Sequence, residues 1–368
     1  MNKFDSIRPY YDNEVNTVLL DLSNNRRFLK MLFETGEYQN IKYLPFSRKI
    51  LSLILKNKIK DIHDIKSYQD LFGTIVSQVV KNSINKFSIT GIENIKKDKG
   101  YLFISNHRDI TLDSALLNFT LHTNGLNTTN NAVGNNLLSE KWASDLMRLN
   151  KSFIIDRSDK SKKEIYKSLH LASEYIFNSI SNKNESIWIA QKQGRSKDGN
   201  DYTDPSVIKM IHLNARKRIS INQYLNNLNV VPVSISYEKD PNDILKAREL
   251  YLTDLNETYI KEPKEDLKSI YEGIRGQKGD VSLNIGKVIE FKEDSYERCS
   301  NLITENIKKL YIPHSTNFAA AILQGENLEN DYEAEVLDDA IEFLNRRMSL
   351  IPEEMHTYLL NQYKNPLL

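Results

Sequence analysis

Hydrophobic and polar positions follow two different rhythms along this chain. Up to about residue 86 the apolar positions recur at helical spacing. Glu14–Leu22, Arg26–Phe33, Phe46–Ile59 and Tyr68–Ile84 each predict a helix, with Pro9 and Pro45 as breaks. From about residue 87 short apolar runs take over, at Tyr101–Ser105, Ser152–Asp156, Ser186–Ala190, Val230–Ser236 and Val281–Ile285. Helical patterns lie between several of them, near Thr111–His122, Lys163–Ser179 and Val207–Lys217. That alternation predicts an α/β fold: a mostly parallel sheet covered by helices. After about residue 300 helical patterns return, including Tyr332–Met348 and Glu353–Tyr363. The expected organisation is a helical region over 1–86, an α/β domain over 87–300 and a helical extension over 301–368.

Composition narrows the class. The 368 residues exceed one typical domain of roughly 100–200 residues, which fits a main domain with appendages. Hydrophobic residues make up 40% and charged residues 27%, which excludes a wholly disordered chain. The 50 basic and 49 acidic side chains nearly cancel, so no nucleic-acid partner is expected. The single cysteine, Cys299, excludes an intramolecular disulfide and a multi-cysteine metal site. His63, His122, His170, His212, His314 and His356 lack paired zinc-ligand spacing, and no metal is expected. No run of about 18 apolar residues occurs, and the N-terminus MNKFDSIRPYYDNEV is too polar for a secretory signal. A reducing, cytosol-like compartment is expected.

The stretch Ile41–Lys60 holds Lys42, Arg48, Lys49, Lys56, Lys58 and Lys60 and no acidic residue, among apolar residues such as Leu44, Phe46, Leu51 and Leu53. Two readings stay open: a core-facing helix with a solvated basic side, or a helix that lies on an anionic membrane surface.

The most informative segment is Tyr101–Leu117, YLFISNHRDITLDSALL. An apolar strand ends in Ser105-Asn106-His107, and an amphipathic helix begins near Thr111. His107 is therefore expected on a loop at the carboxyl end of a strand, where open α/β sheets form their ligand crevice. With Asp109 and Asp113 nearby, its imidazole can form a base–orienter pair. The carboxylate holds one ring nitrogen protonated and leaves the other to take a hydroxyl proton.

Here the chain resembles the glycerolipid acyltransferases, the glycerol-3-phosphate and 1-acylglycerol-3-phosphate acyltransferase family. Their first block is a His, four intervening residues and an Asp, just beyond an apolar strand. His107 and Asp113 are separated by five, so either Asp113 reaches the ring through a bulged loop or Asp109 substitutes. Asp113 is favoured, because Ser114-Ala115-Leu116-Leu117 follows it as the apolar helix follows the family's Asp. The second block resembles Phe153-Ile154-Ile155-Asp156-Arg157. The third appears as Ile187-Trp188-Ile189-Ala190-Gln191-Lys192-Gln193-Gly194-Arg195-Ser196. There Lys192 stands at the family's Pro and Gln193 at its Glu. The fourth is Val230-Val231-Pro232-Val233-Ser234-Ile235-Ser236. A further match is Ile274-Arg275-Gly276-Gln277-Lys278-Gly279, a turn before the apolar run at Val281.

The resemblance implies acyl transfer from a thioester, acyl-CoA or acyl carrier protein, to a hydroxyl of glycerol-3-phosphate or lysophosphatidate. It implies His107 as general base with Asp113, and Asn106, Arg108, Arg157, Gln193, Gly194 and Arg195 as substrate-binding residues. The thioester is a co-substrate, and no cofactor is implied. The cluster Lys192, Arg195 and Lys197 suits an anionic head group or the phosphates of coenzyme A. Lipid products imply a cytoplasmic protein held peripherally at the inner face of the membrane. The altered spacing and Gln193 leave two alternatives open: an O-acyltransferase for another lysolipid, such as a lyso-aminolipid, and a catalytically silent homologue that binds lipid or acyl-CoA.

Overall fold

A computed structural model of the chain describes residues 2–34, 38–135, 140–156, 161–256, 258–262, 265–326 and 328–368. Seven strands occur in chain order: β1 Phe87–Thr90, β2 Leu102–Ser105, β3 Asn130–Gly134, β4 Ser152–Ile155, β5 Ile187–Ala190, β6 Val230–Tyr237 and β7 Val281–Ile285. The fold is α/β with mostly parallel strands and many helices. It divides into two compact units, Met1–Val76 with Thr129–Asn178, and Ser77–Thr128 with Ser179–Leu368.

In the second unit β2 lies between β5 and β6, parallel to both. β7 pairs antiparallel with β6 and parallel with β1. β2, β6 and β7 are buried along their whole length, polar residues such as Ser234, Ser236, Ser282 and Asn284 included. Helices Asp243–Asn256, Ser315–Leu323, Ala334–Met348 and His356–Lys364 build a second apolar cluster around Ala247, Ala319, Leu344 and Leu359. Ala and Leu dominate that cluster, which lets helices approach closely. Gly91, at φ 78°, is demanded by a close approach, since a Cβ there would lie 1.8 Å from the Ile285 carbonyl oxygen.

In the first unit β3 and β4 pair in parallel. The Ile154 N–H donates to the Ile7 carbonyl at 2.9 Å, so the N-terminal segment occupies an edge of β4. Val15, Leu19, Leu22, Ile59, Trp142 and Leu149 form the core there. Helix Ser47–Ile59 buries Leu51 against Leu29 and Phe33.

The predicted helices and strands recur within a few residues of their expected bounds, with three differences. Strands β1 and β3 carry no apolar run long enough to predict them. β3 is Asn-Asn-Ala-Val-Gly, and its buried amides are satisfied locally: Thr129 Oγ1 donates to Asn131 Oδ1 at 2.9 Å, and Asn131 Nδ2 to the Asn150 carbonyl at 3.3 Å. The helix expected over Val207–Lys217 runs over Pro205–Ile211 and then loosens into turns. The next residue, His212, folds inward there, with Nδ1 2.8 Å from the Tyr296 hydroxyl and Nε2 3.0 Å from the Ile219 carbonyl. That tertiary pairing overrides the helical periodicity.

Candidate active site

The site begins where β2 leaves the sheet. Asn106 continues the pairing with its side chain: Oδ1 accepts from the Ile235 N–H at 2.8 Å, and Nδ2 donates to the Ile235 carbonyl at 2.9 Å. Asp109 then closes the turn, its Oδ1 accepting from the N–H groups of Thr111 and Leu112, each at 2.9 Å. That is a cap for helix Leu112–Thr123, whose first N–H groups have no partner within the helix. Burial, with the Asp113 charge beside it, pushes the Asp109 carboxyl up.

Asp113, in the first turn of that helix, reaches back over the loop. Its Oδ2 accepts from the N–H of Arg108 at 2.6 Å and of Asp109 at 3.0 Å, and lies 2.7 Å from His107 Nδ1. The extra residue between His107 and Asp113 is absorbed in the turn over 109–111. Asp113, and not Asp109, therefore meets the ring. A carboxylate acceptor places the ring proton on Nδ1 and leaves the Nε2 lone pair available. Among the described residues Nε2 takes no hydrogen bond, and the side chain is 14% exposed. The ring stands edge-on to Trp188, centroids 5.6 Å apart, and the indole N–H donates to Ser105 Oγ at 2.9 Å. The parallel pairing of β2 with β5 and β6 puts all these groups at the strands' carboxyl ends.

The loop after β5 is tied to the same turn, because the Ser196 N–H donates to the His107 carbonyl at 2.7 Å. Gly194 has φ 75° and open space where a Cβ would point, so the backbone conformation demands glycine and the surface beside it is accessible. Gln193 and Gly194 are exposed. Arg195 is half-buried and donates to Ser269 Oγ at 2.8 Å. The basic cluster expected there is partly engaged by the protein: Lys197 pairs with Glu249, and Lys192 donates to the Asn200 carbonyl at 2.8 Å, above the Tyr202 ring.

Beneath the turn lies a layer the sequence did not disclose. Asp201 accepts from Arg108 Nη2 at 2.5 Å, Asn106 Nδ2 at 3.2 Å and Gln191 Nε2 at 3.2 Å. Lys246, wholly buried on helix Asp243–Asn256, donates to the Arg108 carbonyl at 2.7 Å and pairs with Asp240. Burial alone drives the Asp240 carboxyl up; Lys246 beside it more than offsets this and holds it low. Tyr237, at the last position of β6, donates its hydroxyl to Asp113 Oδ1 at 2.8 Å. Arg108, Ser196, Tyr237, Lys246 and Tyr311 border a cavity of about 30 Å³, room for one or two waters. The expectation that Asn106 and Arg108 bind substrate meets a different geometry: both are buried and committed to protein partners. Arg157 lies outside the described residues. The missed residues had one legible signal. Gln191 and Tyr237 sit at the carboxyl ends of strands beside β2, where the site had to form. Among the described residues no three His, Cys, Asp or Glu side chains converge as a metal site.

Comparison with known proteins agrees with the sequence blocks. A family model described as Acyltransferase matches residues 86–236. Among solved structures, the chain is similar to the 1-acyl-sn-glycerophosphate (LPA) acyltransferase PlsC of Thermotoga maritima. The identity is 15% and the TM-score 0.41, over 80% of this chain and 93% of that one. No curated protein matches. The matched stretch holds the turn that joins His107 to Asp113 and the loop around Gly194, so the similarity to the acyltransferase family covers the part of the chain that carries the site.

Proposed function

We propose that this protein moves a fatty acyl group from an acyl thioester, acyl-CoA or acyl carrier protein, to a hydroxyl of glycerol-3-phosphate or lysophosphatidate. The observation that carries the reading is the His107–Asp113 pair at 2.7 Å, with Nε2 left as the acceptor, inside the stretch that matches the acyltransferase family model. His107 Nε2 takes the proton of the acceptor hydroxyl as its oxygen attacks the thioester carbonyl. The tetrahedral intermediate then collapses, the C–S bond breaks and the imidazolium returns the proton to the departing thiolate. Asp113 holds the ring and stabilises its transient charge. Arg195, beside the open face at Gly194, is assigned to the acceptor's anionic group.

A membrane contact belongs to the same proposal. Tyr43, Phe46 and Leu53 are 84%, 75% and 66% exposed, among Lys42, Arg48, Lys49 and Lys56. Exposed aromatic and aliphatic groups with basic neighbours suit an anionic lipid surface. Among the described residues no helix is long and apolar enough to cross a membrane.

The test is thioester consumption by the wild type and His107→Ala, with acyl-CoA and acyl carrier protein donors. The acceptors are glycerol-3-phosphate, lysophosphatidate and a lyso-aminolipid. Acceptor-dependent turnover that falls by about 10²–10⁴ in the variant is expected. Full turnover by His107→Ala removes the base assignment. Turnover with the aminolipid alone replaces the acceptor, and none with any pair leaves a binding homologue.

A further inference from the structure

The Asp113 carboxylate has one oxygen filled by the turn and one that is not. Oδ2 faces His107 Nδ1 and two backbone N–H groups, whereas Oδ1 is met by the Tyr237 hydroxyl at 2.8 Å. Among the described residues no other side chain hydrogen-bonds Oδ1. The two residues lie 124 positions apart and are joined by the sheet, because β6, which ends in Tyr237, pairs with β2, which ends just before His107. Both are buried, so this bond forms where water competes little and its electrostatic strength is high.

We infer that Tyr237 is a positioning residue for acyl transfer, its hydroxyl fixing the Asp113 carboxylate and moderating its grip on the His107 ring. The inference rests on the reading of His107 as general base. A donor on Oδ1 draws electron density from Oδ2 and weakens the bond Oδ2 offers to Nδ1–H. It also holds the carboxylate in the one rotation that presents Oδ2 to both the ring and the turn amides. Tyr237 keeps its own proton throughout the cycle. Burial and the charges of Asp113 and Asp109 push its phenol well above the ordinary value. Among the described residues the other charged or phenolic groups around this pair are Arg108, Asp240, Lys246, Tyr311 and Tyr363.

The experiment uses Tyr237→Phe, which deletes one oxygen and leaves the ring. Tyr224→Phe is the control, because Tyr224 donates to Asn214 Oδ1 at 2.8 Å away from the turn and loses a buried hydroxyl of the same kind. Two readouts are taken. The first is the low-field proton resonance of His107 Nδ1, identified by its loss in His107→Ala, which needs no substrate. The second is the division of any rate change between kcat and KM. In Tyr237→Phe the resonance is expected further downfield, with kcat five- to thirty-fold lower and KM within two-fold. Tyr224→Phe is expected to change neither. A folded Tyr237→Phe with an unmoved resonance and wild-type kcat overturns the inference while leaving His107 as base. Should Tyr237→Phe not fold, 2,3-difluorotyrosine at 237 keeps the hydroxyl and makes it a stronger donor. The resonance then moves upfield, and an unmoved one overturns the inference. Wild-type rates in His107→Ala would instead sink the functional reading beneath it.

Discussion

The turn around His107 and the stretch Ile41–Lys60 use polar and apolar residues in opposite ways. In the turn the charged groups are buried and committed: Arg108 to Asp201, Lys246 to Asp240 and the Arg108 carbonyl, Asp113 to four donors. In Ile41–Lys60 the apolar groups are outside, with Tyr43 and Phe46 at the head of helix Ser47–Ile59 and Leu53 on its outer face. Neither arrangement is what folding alone favours. Buried charge costs desolvation free energy and exposed aromatics forgo burial. The first device gives a fixed geometry, because each buried polar atom is costly to leave without its partner. The second gives a surface that gains by meeting something apolar.

The sharpest way to break this comparison is to remove one member of the buried set. Asp201→Asn leaves the Arg108 guanidinium buried without its carboxylate. Urea denaturation is expected to show a loss of about 3–5 kcal/mol. A loss below about 1 kcal/mol would mean that Arg108 is carried by Asp240 instead, and that the layer beneath the turn is not a closed network.

A second buried cation tests the cost of charge without a partner carboxylate. Lys278 lies in the turn after helix Glu265–Arg275, donating to the Gly276 carbonyl at 2.7 Å and to Ser83 Oγ at 2.9 Å. Burial pushes its ammonium down to about 8 from 10.5. Below about pH 8 folded and unfolded chains both carry the charge, and the folded state bears the whole burial penalty. Between about 8 and 10.5 the folded chain sheds its proton while the unfolded chain keeps it, so stability rises with pH. Relative to Lys278→Met, the wild type should gain about 2–3 kcal/mol between pH 7 and pH 10 in paired denaturation curves. A flat difference would place water around the ammonium.

The smallest change in stability is expected in the exposed stretch. Tyr43→Ser with Phe46→Ser and Leu53→Ser should alter unfolding by no more than about 0.5 kcal/mol for each substitution. The triple variant should still lose about tenfold in binding to vesicles of anionic phospholipid, read by cosedimentation. Equal binding by both proteins would return this stretch to a solvated helix with no lipid contact.

Legibility in the sequence followed the range of the interaction. Helices such as Asp12–Asn24 and strands such as β6 were readable because their apolar period is local. β3 was not, because Asn130 and Asn131 are buried by partners the pattern does not show. In the site, Asp113 was preferred on the apolar helix that follows it, and the structure brings it to the ring. Asp109 was an equal match by proximity, yet its carboxylate is spent on the helix cap. Asn106 and Arg108 carried the right chemistry for a ligand and are turned inward. Nothing in a one-dimensional pattern separates a donor aimed at substrate from one aimed at Ile235 or Asp201.

The sequence by itself determined the parallel-sheet class, the placing of His107 at a strand's carboxyl end and its pairing with a nearby acid. The sheet class is legible in the alternation of short apolar runs and helical patterns, and the other two depend on residues within a few positions of one another, where spacing and chain stiffness leave little choice. Only the tertiary structure decided which side chains support that pair. Tyr237 reaches Asp113 across 124 positions, and Lys246 reaches the Arg108 carbonyl across 138. Contacts of that length are set by strand pairing and helix packing, and they exist only once the sheet has closed its register.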